Sequence, residues 1–123
     1  MPEQKTVFGK RILLVDDDQG VRESINLLLR IDRHVVTEAH DSREAFAFLA
    51  EGPFDLVIVD YFMPDIPGNE LAAQIKRGAP TLPILMVTAY FEKLVDKDNS
   101  VDGILAKPFG VDELRQAIAK LLS

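Results

Sequence analysis

Short apolar runs alternate along the chain with longer segments in which apolar residues recur three and four positions apart. The short runs predict β-strands, which we place at 12–15, 34–39, 55–59, 84–89 and 103–106. The first, third and fourth runs are continuously apolar, which is typical of strands covered by helices on both faces of a parallel sheet. The second run is mixed in character, and we expect it to lie at an edge of the sheet.

The longer segments predict helices that pack one apolar stripe against this sheet. Asp41 and Glu44 stand at capping-box spacing at the start of the second helix, and Gly52 ends it. The segment 90–102 has few aliphatic anchors, so we expect a short or irregular helix there. The stripes of the first, third and last helices are Val21, Ile25, Leu28 and Leu29; Leu71, Ala72 and Ile75; and Val111, Leu114, Ile118, Leu121 and Leu122. This alternation predicts a single-domain, doubly wound α/β sandwich of five βα units with right-handed connections.

Composition and charge narrow the class of protein. A chain of 123 residues with 47% hydrophobic residues can bury a core as one domain. The absence of cysteine excludes a disulfide framework, a thiolate metal site and a thiol nucleophile. The net charge of −6 argues against direct nucleic-acid binding. The first residues lack the apolar stretch of a signal peptide and no run reaches the ~18 residues of a membrane span, so we expect a soluble, cytoplasmic protein without membrane insertion.

Polar residues follow the predicted strands at the ends where ligands bind in open parallel sheets. Three aspartates, 16–18, follow the first strand, and Asp60 ends the third. Thr88 ends the fourth strand, and Lys107 follows the fifth. Because the carboxyl ends of parallel strands meet at one edge, we expect these side chains to converge. An isolated acidic run would be explained by capping of the helix that begins near residue 19.

Asp60, which follows a buried strand at the same predicted edge, changes that interpretation. Carboxylates crowded at one edge repel each other, so they require a cation or must take up protons. Mg²⁺ is a hard ion commonly held by one or two carboxylates, water and phosphate oxygens. With the ammonium group of Lys107 and the hydroxyl of Thr88, the set is suited to phosphoryl transfer, in which positioning and charge neutralisation provide most of the catalysis.

At this point the sequence resembles the receiver domain of two-component response regulators. The resemblance covers residues 11–122, leaving 1–10 as an N-terminal extension, and depends on ILLVDDD, DLVIVDYFMPDIPG, ILMVTA and AKPF in that order. It implies a flavodoxin-like, CheY-like fold with sheet order 2-1-3-4-5. It also implies a signalling domain rather than an enzyme with a separate substrate, although one that catalyses its own phosphorylation and dephosphorylation.

The resemblance also implies a role for each site residue. Asp60 would be the phosphoacceptor, and Mg²⁺ would be held by Asp16, Asp17, Asp60 and the backbone carbonyl of Phe62. Thr88, the backbone N–H of Ala89 and Lys107 would contact the phosphoryl group, and the peptide before Pro108 would be cis. The donor would be a sensor histidine kinase or a histidine phosphotransfer protein, and phosphorylation would switch the binding of an unidentified downstream protein.

Two alternatives remain open. Ile104 stands where family members usually carry Tyr or Phe, and the interval from Thr88 to Lys107 is a few residues shorter than usual. Both departures leave open a receiver-fold interaction module that works without phosphorylation. Separately, Asp16 and Asp18 are spaced like the nucleophile and acid of haloacid-dehalogenase-type phosphatases, although Gly20 stands where that family carries Thr or Val.

Overall fold

The fold of the chain comes from a computed structural model that describes residues 6–90, 92 and 100–122. In chain order the elements are β1 (Arg11–Val15), α1 (Gln19–Ile31), β2 (Val35–Ala39), α2 (Ser42–Glu51), β3 (Leu56–Asp60), α3 (Gly68–Gly78), β4 (Ile84–Thr88), β5 (Gly103–Ala106) and α4 (Val111–Leu122). Each predicted strand is therefore present, with its bounds shifted by at most one residue. The expected irregular helix at 90–102 falls mostly outside the described residues.

The five strands form one parallel sheet in the order β2-β1-β3-β4-β5. This confirms the doubly wound, flavodoxin-like prediction, including the edge position of β2. Strands β3 and β4 are buried at every residue, as their continuous apolar sequences predict, whereas β2 is mostly half-exposed. The strand order reverses between β1 and β3, because the connection after β1 leads to β2 on one side and the connection after β3 leads to β4 on the other. Such a reversal opens a crevice at the carboxyl ends of the two strands.

Each face of the sheet carries its own apolar layer. Because successive strand residues point to opposite faces, Leu13 and Val57 pack toward α2 and α3, while Ile12 and Leu56 pack toward α1 and α4. The helices contribute the apolar stripes read from the sequence, such as Ile25 and Leu29 of α1. No helix among the described residues is both long and apolar enough to cross a lipid bilayer.

Candidate functional site

Three carboxylates converge at the carboxyl ends of the two central strands. β1 and β3 are paired in parallel, so Asp16, which follows β1, and Asp60, which ends β3, reach the same edge. One carboxylate oxygen from each of Asp16, Asp17 and Asp60 lies within 4.8 Å of the other two. Asp16 and Asp60 are buried, whereas Asp17 is exposed. The cluster therefore has a buried base and a side open to solvent.

Lys107 supplies the positive charge at this cluster. Its Nζ lies 3.1 Å from Asp60 Oδ1 and 3.5 Å from Asp16 Oδ2. The backbone fixes its place, because the Lys107 N–H donates to the Thr88 carbonyl at 2.8 Å where β4 and β5 end side by side. The following peptide, before Pro108, is cis, as the family resemblance implied.

Burial governs the protonation of the two inner carboxylates. It raises the pKa of Asp60 above its ordinary value, because the loss of solvent disfavours the carboxylate more than the ammonium group of Lys107 favours it. Burial also raises the pKa of Asp16, against a hydrogen bond from the Asp18 N–H, and the nearby Asp60 carboxylate raises it further. One lysine therefore does not compensate the buried negative charge.

A second observation shows that the cluster fits a cation. Asp16 Oδ1 accepts a hydrogen bond from the Asp18 N–H at 2.9 Å, whereas Oδ2 is buried and has no hydrogen-bond partner among the described residues. The 3.5 Å approach of Lys107 to that oxygen is an ionic contact without hydrogen-bond geometry. A buried carboxylate oxygen left in this state is unfavourable. An oxygen-binding ion such as Mg²⁺ would satisfy it together with Asp17 and Asp60.

The other predicted site residues lie at the same edge of the sheet but in different environments. Thr88 is buried at the end of β4, and its Oγ1 accepts a hydrogen bond from the Tyr90 N–H at 2.9 Å. Ala89 follows it and is exposed. Phe62, two residues after Asp60, is 59% exposed and its ring makes an edge contact with Tyr90 at 5.0 Å. The Phe62 ring is therefore an exposed neighbour of Tyr90 and adds no polar group to the carboxylate cluster.

Asp17 and Asp18, adjacent in sequence, have different roles in the structure. Asp18 is the N-cap of α1, and its Oδ1 accepts from the Val21 N–H at 3.1 Å. The capping interpretation is therefore correct for Asp18, while Asp17 belongs to the carboxylate cluster. Because the Asp18 carboxylate is engaged at the helix end, the geometry does not favour a haloacid-dehalogenase-type acid at this position.

Two hydrogen bonds fix the loop after β3, one across its ends and one to the start of α2. The Gly68 N–H donates to the Tyr61 carbonyl at 2.7 Å, and the Asp65 carboxylate accepts from the Ser42 N–H at 3.0 Å. A Cβ on Gly68 would lie only 2.2 Å from the Asp60 carbonyl oxygen. The sequence alone does not reveal that the first turn of α3 touches the backbone of Asp60.

Arg22 is a site neighbour that the sequence reasoning missed. Its Nη1 donates to the Asp16 carbonyl at 2.8 Å, and its Nε donates to Glu38 at 2.9 Å. An arginine on an amphipathic helix ordinarily indicates a solvated face, so the sequence contains no signal that separates Arg22 from the exposed Arg30 on the same helix.

Comparison with known proteins identifies the family. Residues 12–119 match the model of the response regulator receiver domain. The response regulator MprA of Mycolicibacterium vanbaalenii is 38% identical over 115 residues, covering 91% of this chain and 50% of that protein. MprA of Mycobacterium tuberculosis is 37% identical over the same length, with the same coverage of both chains. The chain thus spans about half the length of the curated relatives it matches.

Solved structures agree with this assignment. The response regulator TrrA of Thermotoga maritima, determined in complex with Mg²⁺ and BeF, superposes with a TM-score of 0.85 at 35% identity, covering 92% of this chain and 99% of that one. The chemotaxis response regulator CheY4 of Vibrio cholerae superposes with a TM-score of 0.83 at 29% identity, covering 93% and 99%. The chain therefore belongs to the response regulator receiver domain family and is a signalling domain of two-component systems.

Proposed function

We propose that Asp60 is the phosphoacceptor of this receiver domain and takes its phosphoryl group from a sensor histidine kinase or a histidine phosphotransfer protein. The observation that carries the proposal is the site itself. Asp60 ends β3 within 4.8 Å of the oxygens of Asp16 and Asp17, and its Oδ1 lies 3.1 Å from Lys107 Nζ. A half-neutralised carboxylate at the mouth of a crevice is arranged to act as a nucleophile.

Asp16, Asp17, Asp60 and the backbone carbonyl of Phe62 would hold one Mg²⁺ ion. The unsatisfied Oδ2 of Asp16 and the raised pKa values of Asp16 and Asp60 support this assignment. When bound, Mg²⁺ supplies charge neutralisation for the transferring phosphoryl group. The TrrA complex with Mg²⁺ and BeF is a precedent for Mg²⁺ binding within the family.

The proposed reaction is a nucleophilic displacement at phosphorus. An oxygen of Asp60 forms a bond to the phosphorus of the partner's phosphohistidine as the phosphorus–nitrogen bond breaks, leaving an acyl phosphate on Asp60. The bonding electron pair stays on the ring nitrogen, and the imidazole leaves neutral, either because its second nitrogen already carries a proton or because the ring takes one from water. Attack of water on that acyl phosphate returns the carboxylate and releases inorganic phosphate. In this proposal the chain catalyses both the transfer of the phosphoryl group to its own Asp60 and the later hydrolysis of the acyl phosphate.

Three groups would contact the phosphoryl oxygens. Lys107 would exchange part of its contact with Asp60 for a charge-assisted one, while the Thr88 hydroxyl and the Ala89 N–H would donate hydrogen bonds. To do so, Thr88 Oγ1 would reorient from its contact with the Tyr90 N–H. A phosphoryl group adds a charge of about −1.5 to −2 at neutral pH, which favours this movement and would change the affinity for a downstream protein.

A groove of about 600 Å³ lies beside Lys107, and we propose it as a surface for a partner protein. It lies between α1 and the segment 107–109, and its lining includes Val21, Leu28 and Phe109.

We assign the family fold to residues 11–122, with 1–10 as an extension. A cytoplasmic location is also part of the proposal. We propose no direct contact with nucleic acid.

Intact mass spectrometry after incubation with acetyl phosphate and Mg²⁺ tests the proposal. The wild-type chain should gain one phosphoryl group, and Asp60→Asn should gain none. Asp112→Asn is the matched control, because Asp112 is an exposed carboxylate on α4 that does not belong to the cluster, so the adduct should remain. A full adduct on Asp60→Asn would place the acceptor elsewhere. A folded wild-type chain without any adduct would favour an interaction module that works without phosphorylation.

A further inference from the structure

We propose that Arg22 is a positioning residue for the metal-binding carboxylate Asp16. The inference rests on the proposed function, because it assigns Arg22 to the same Mg²⁺ site. Arg22 lies in the first turns of α1, and its guanidinium joins the end of β1 to Glu38 of β2. It does not belong to the cluster itself, and it acts through the backbone of Asp16.

The geometry of the contact is specific to arginine. Nη1 donates to the Asp16 carbonyl at 2.8 Å while Nε donates to Glu38 Oε1 at 2.9 Å. A planar guanidinium can direct two N–H groups at two fixed acceptors, whereas a lysine ammonium is a point charge on a flexible stem. Substitution by lysine would therefore keep the charge and lose the double contact.

The arginine is itself held in place. Only 15% of its side chain is exposed, and its partner Glu38 is 30% exposed. The second oxygen of Glu38 accepts from Asn26 Nδ2 at 2.7 Å, so two side chains of α1 fix one carboxylate of β2. Exposed ion pairs contribute little, but this pair is largely shielded from solvent and carries additional hydrogen bonds.

Asp16 is thereby constrained at each polar group on its backbone. Its N–H donates to the Ala39 carbonyl at 3.1 Å, and its carbonyl accepts from Arg22. Its Oδ1 accepts from the Asp18 N–H. Of these three contacts, only the one from Arg22 comes from a side chain and can be removed without altering the backbone or the carboxylates. The structure thus offers a variant that loosens Asp16 while retaining every ligand.

Arg22→Lys should weaken Mg²⁺ binding about tenfold, the lower end of the effect seen when outer partners of metal ligands are removed. Arg22→Gln should weaken it similarly. If Arg22 acted only through its charge, Arg22→Lys would bind Mg²⁺ like the wild type and Arg22→Gln would bind it more tightly, because a repelling cation would be gone. Positioning and simple electrostatics thus predict opposite changes for the glutamine variant.

NMR titration with MgCl₂ measures the dissociation constant from amide shifts around the cluster, and the thermal midpoint of each metal-free variant shows that it is folded. The Asp17 amide ¹⁵N shift gives a second readout without metal, because the Asp16 carbonyl belongs to that peptide and loses its hydrogen bond. Acetyl phosphate phosphorylation should slow at limiting Mg²⁺ and recover at saturating Mg²⁺. Arg30→Lys and Arg30→Gln are the matched controls, since Arg30 is an exposed arginine on the same helix.

Glu38→Gln is a second test of the inference if the Arg22 variants unfold. The substitution is isosteric and weakens the contact that holds the Arg22 guanidinium in place. We expect a smaller loss of Mg²⁺ affinity, about twofold to threefold. Unchanged Mg²⁺ affinity and an unchanged Asp17 shift in folded Arg22→Lys would overturn the inference while leaving the proposed function intact. Absence of Mg²⁺ binding and of an Asp60 adduct in the wild type would instead remove the proposed function.

Discussion

Replacement of Gly68 by alanine should destabilise the domain and impair the site together. The added Cβ would lie 2.2 Å from the Asp60 carbonyl oxygen and 2.9 Å from Tyr61 Cα, both backbone atoms. Real Cβ contacts essentially never fall below 3.0 Å, so α3 and the end of β3 must separate by about 0.8 Å. No flexible side chain can move aside to relieve the contact.

The expected loss in the free energy of unfolding is about 3 kcal/mol, at the upper end of overpacking costs, reduced by up to ~1 kcal/mol for the helix preference of alanine over glycine. A net loss of about 2 kcal/mol corresponds to a melting temperature lowered by about 6–10 °C in a domain of this size. Because the displaced atom belongs to the proposed phosphoacceptor, acetyl phosphate phosphorylation should also slow in variant molecules that remain folded.

Gly78→Ala is the matched control at the other end of α3. A Cβ there meets nothing within 4 Å, so the same substitution should raise the melting temperature slightly. Thermal denaturation followed by circular dichroism, with intact-mass measurement of the phosphorylation rate, compares the two variants. Equal melting temperatures for Gly68→Ala and Gly78→Ala would refute the steric reasoning, whatever the effect on phosphorylation.

Three further predictions concern charge. In EDTA at pH 7, Asp16→Asn and Asp60→Asn should each raise the urea midpoint, because a carboxyl group with a raised folded pKa costs stability as the pH rises above its ordinary value of 3.8. Saturating Mg²⁺ should stabilise only the wild type strongly, and a lower midpoint for Asp16→Asn in EDTA would contradict this account. Burial lowers the pKa of His34, whose Nδ1 accepts from the Lys10 N–H at 3.0 Å, so the unfolded chain binds more protons than the folded one as the pH falls below 6.5. The urea midpoint of the wild type should therefore fall between pH 7.5 and 5.5, and that of His34→Gln should fall less. An equal fall in both proteins would assign the loss of stability to other groups. The Asp32 carboxylate is 5% exposed and accepts two hydrogen bonds from Arg115. Arg115→Met leaves this buried charge without its partner, so it should lower the melting temperature more than the Asp32→Asn/Arg115→Met double variant does. Additive losses from the two substitutions would contradict this explanation.

The architecture was predictable from local pattern because the central strands β1, β3 and β4 are covered on both faces, whereas the edge strand β2 is not. The continuous runs that became β1, β3 and β4 could be buried only inside a parallel α/β sheet, and the mixed run became the edge strand. The convergence of Asp16, Asp60 and Lys107 then followed from strand direction alone, since parallel strands end at one edge. No knowledge of side-chain orientation was needed for that step.

Contacts that depend on the register between elements could not be predicted from the sequence. Arg22 and Glu38 are 16 residues apart, and they meet only because α1 crosses β2 with that face inward. The division of roles between Asp17 and Asp18 depends on where α1 begins, to within one residue. The approach of Gly68 to Asp60 depends on the path of the loop 61–67, which no periodicity describes.

These contacts explain how the site keeps an arrangement that its own charges oppose. Asp16 and Asp60 are ionisable groups whose burial is unfavourable, and one shared lysine offsets only part of that penalty. The backbone of Asp16 is fixed through Arg22 and Ala39, and that of Asp60 by its place in β3 and by the abutting Gly68. Asp17, the exposed member, has no comparable burial. Two carboxylates are therefore held in place before a cation arrives, so that binding relieves repulsion without first having to order the ligands.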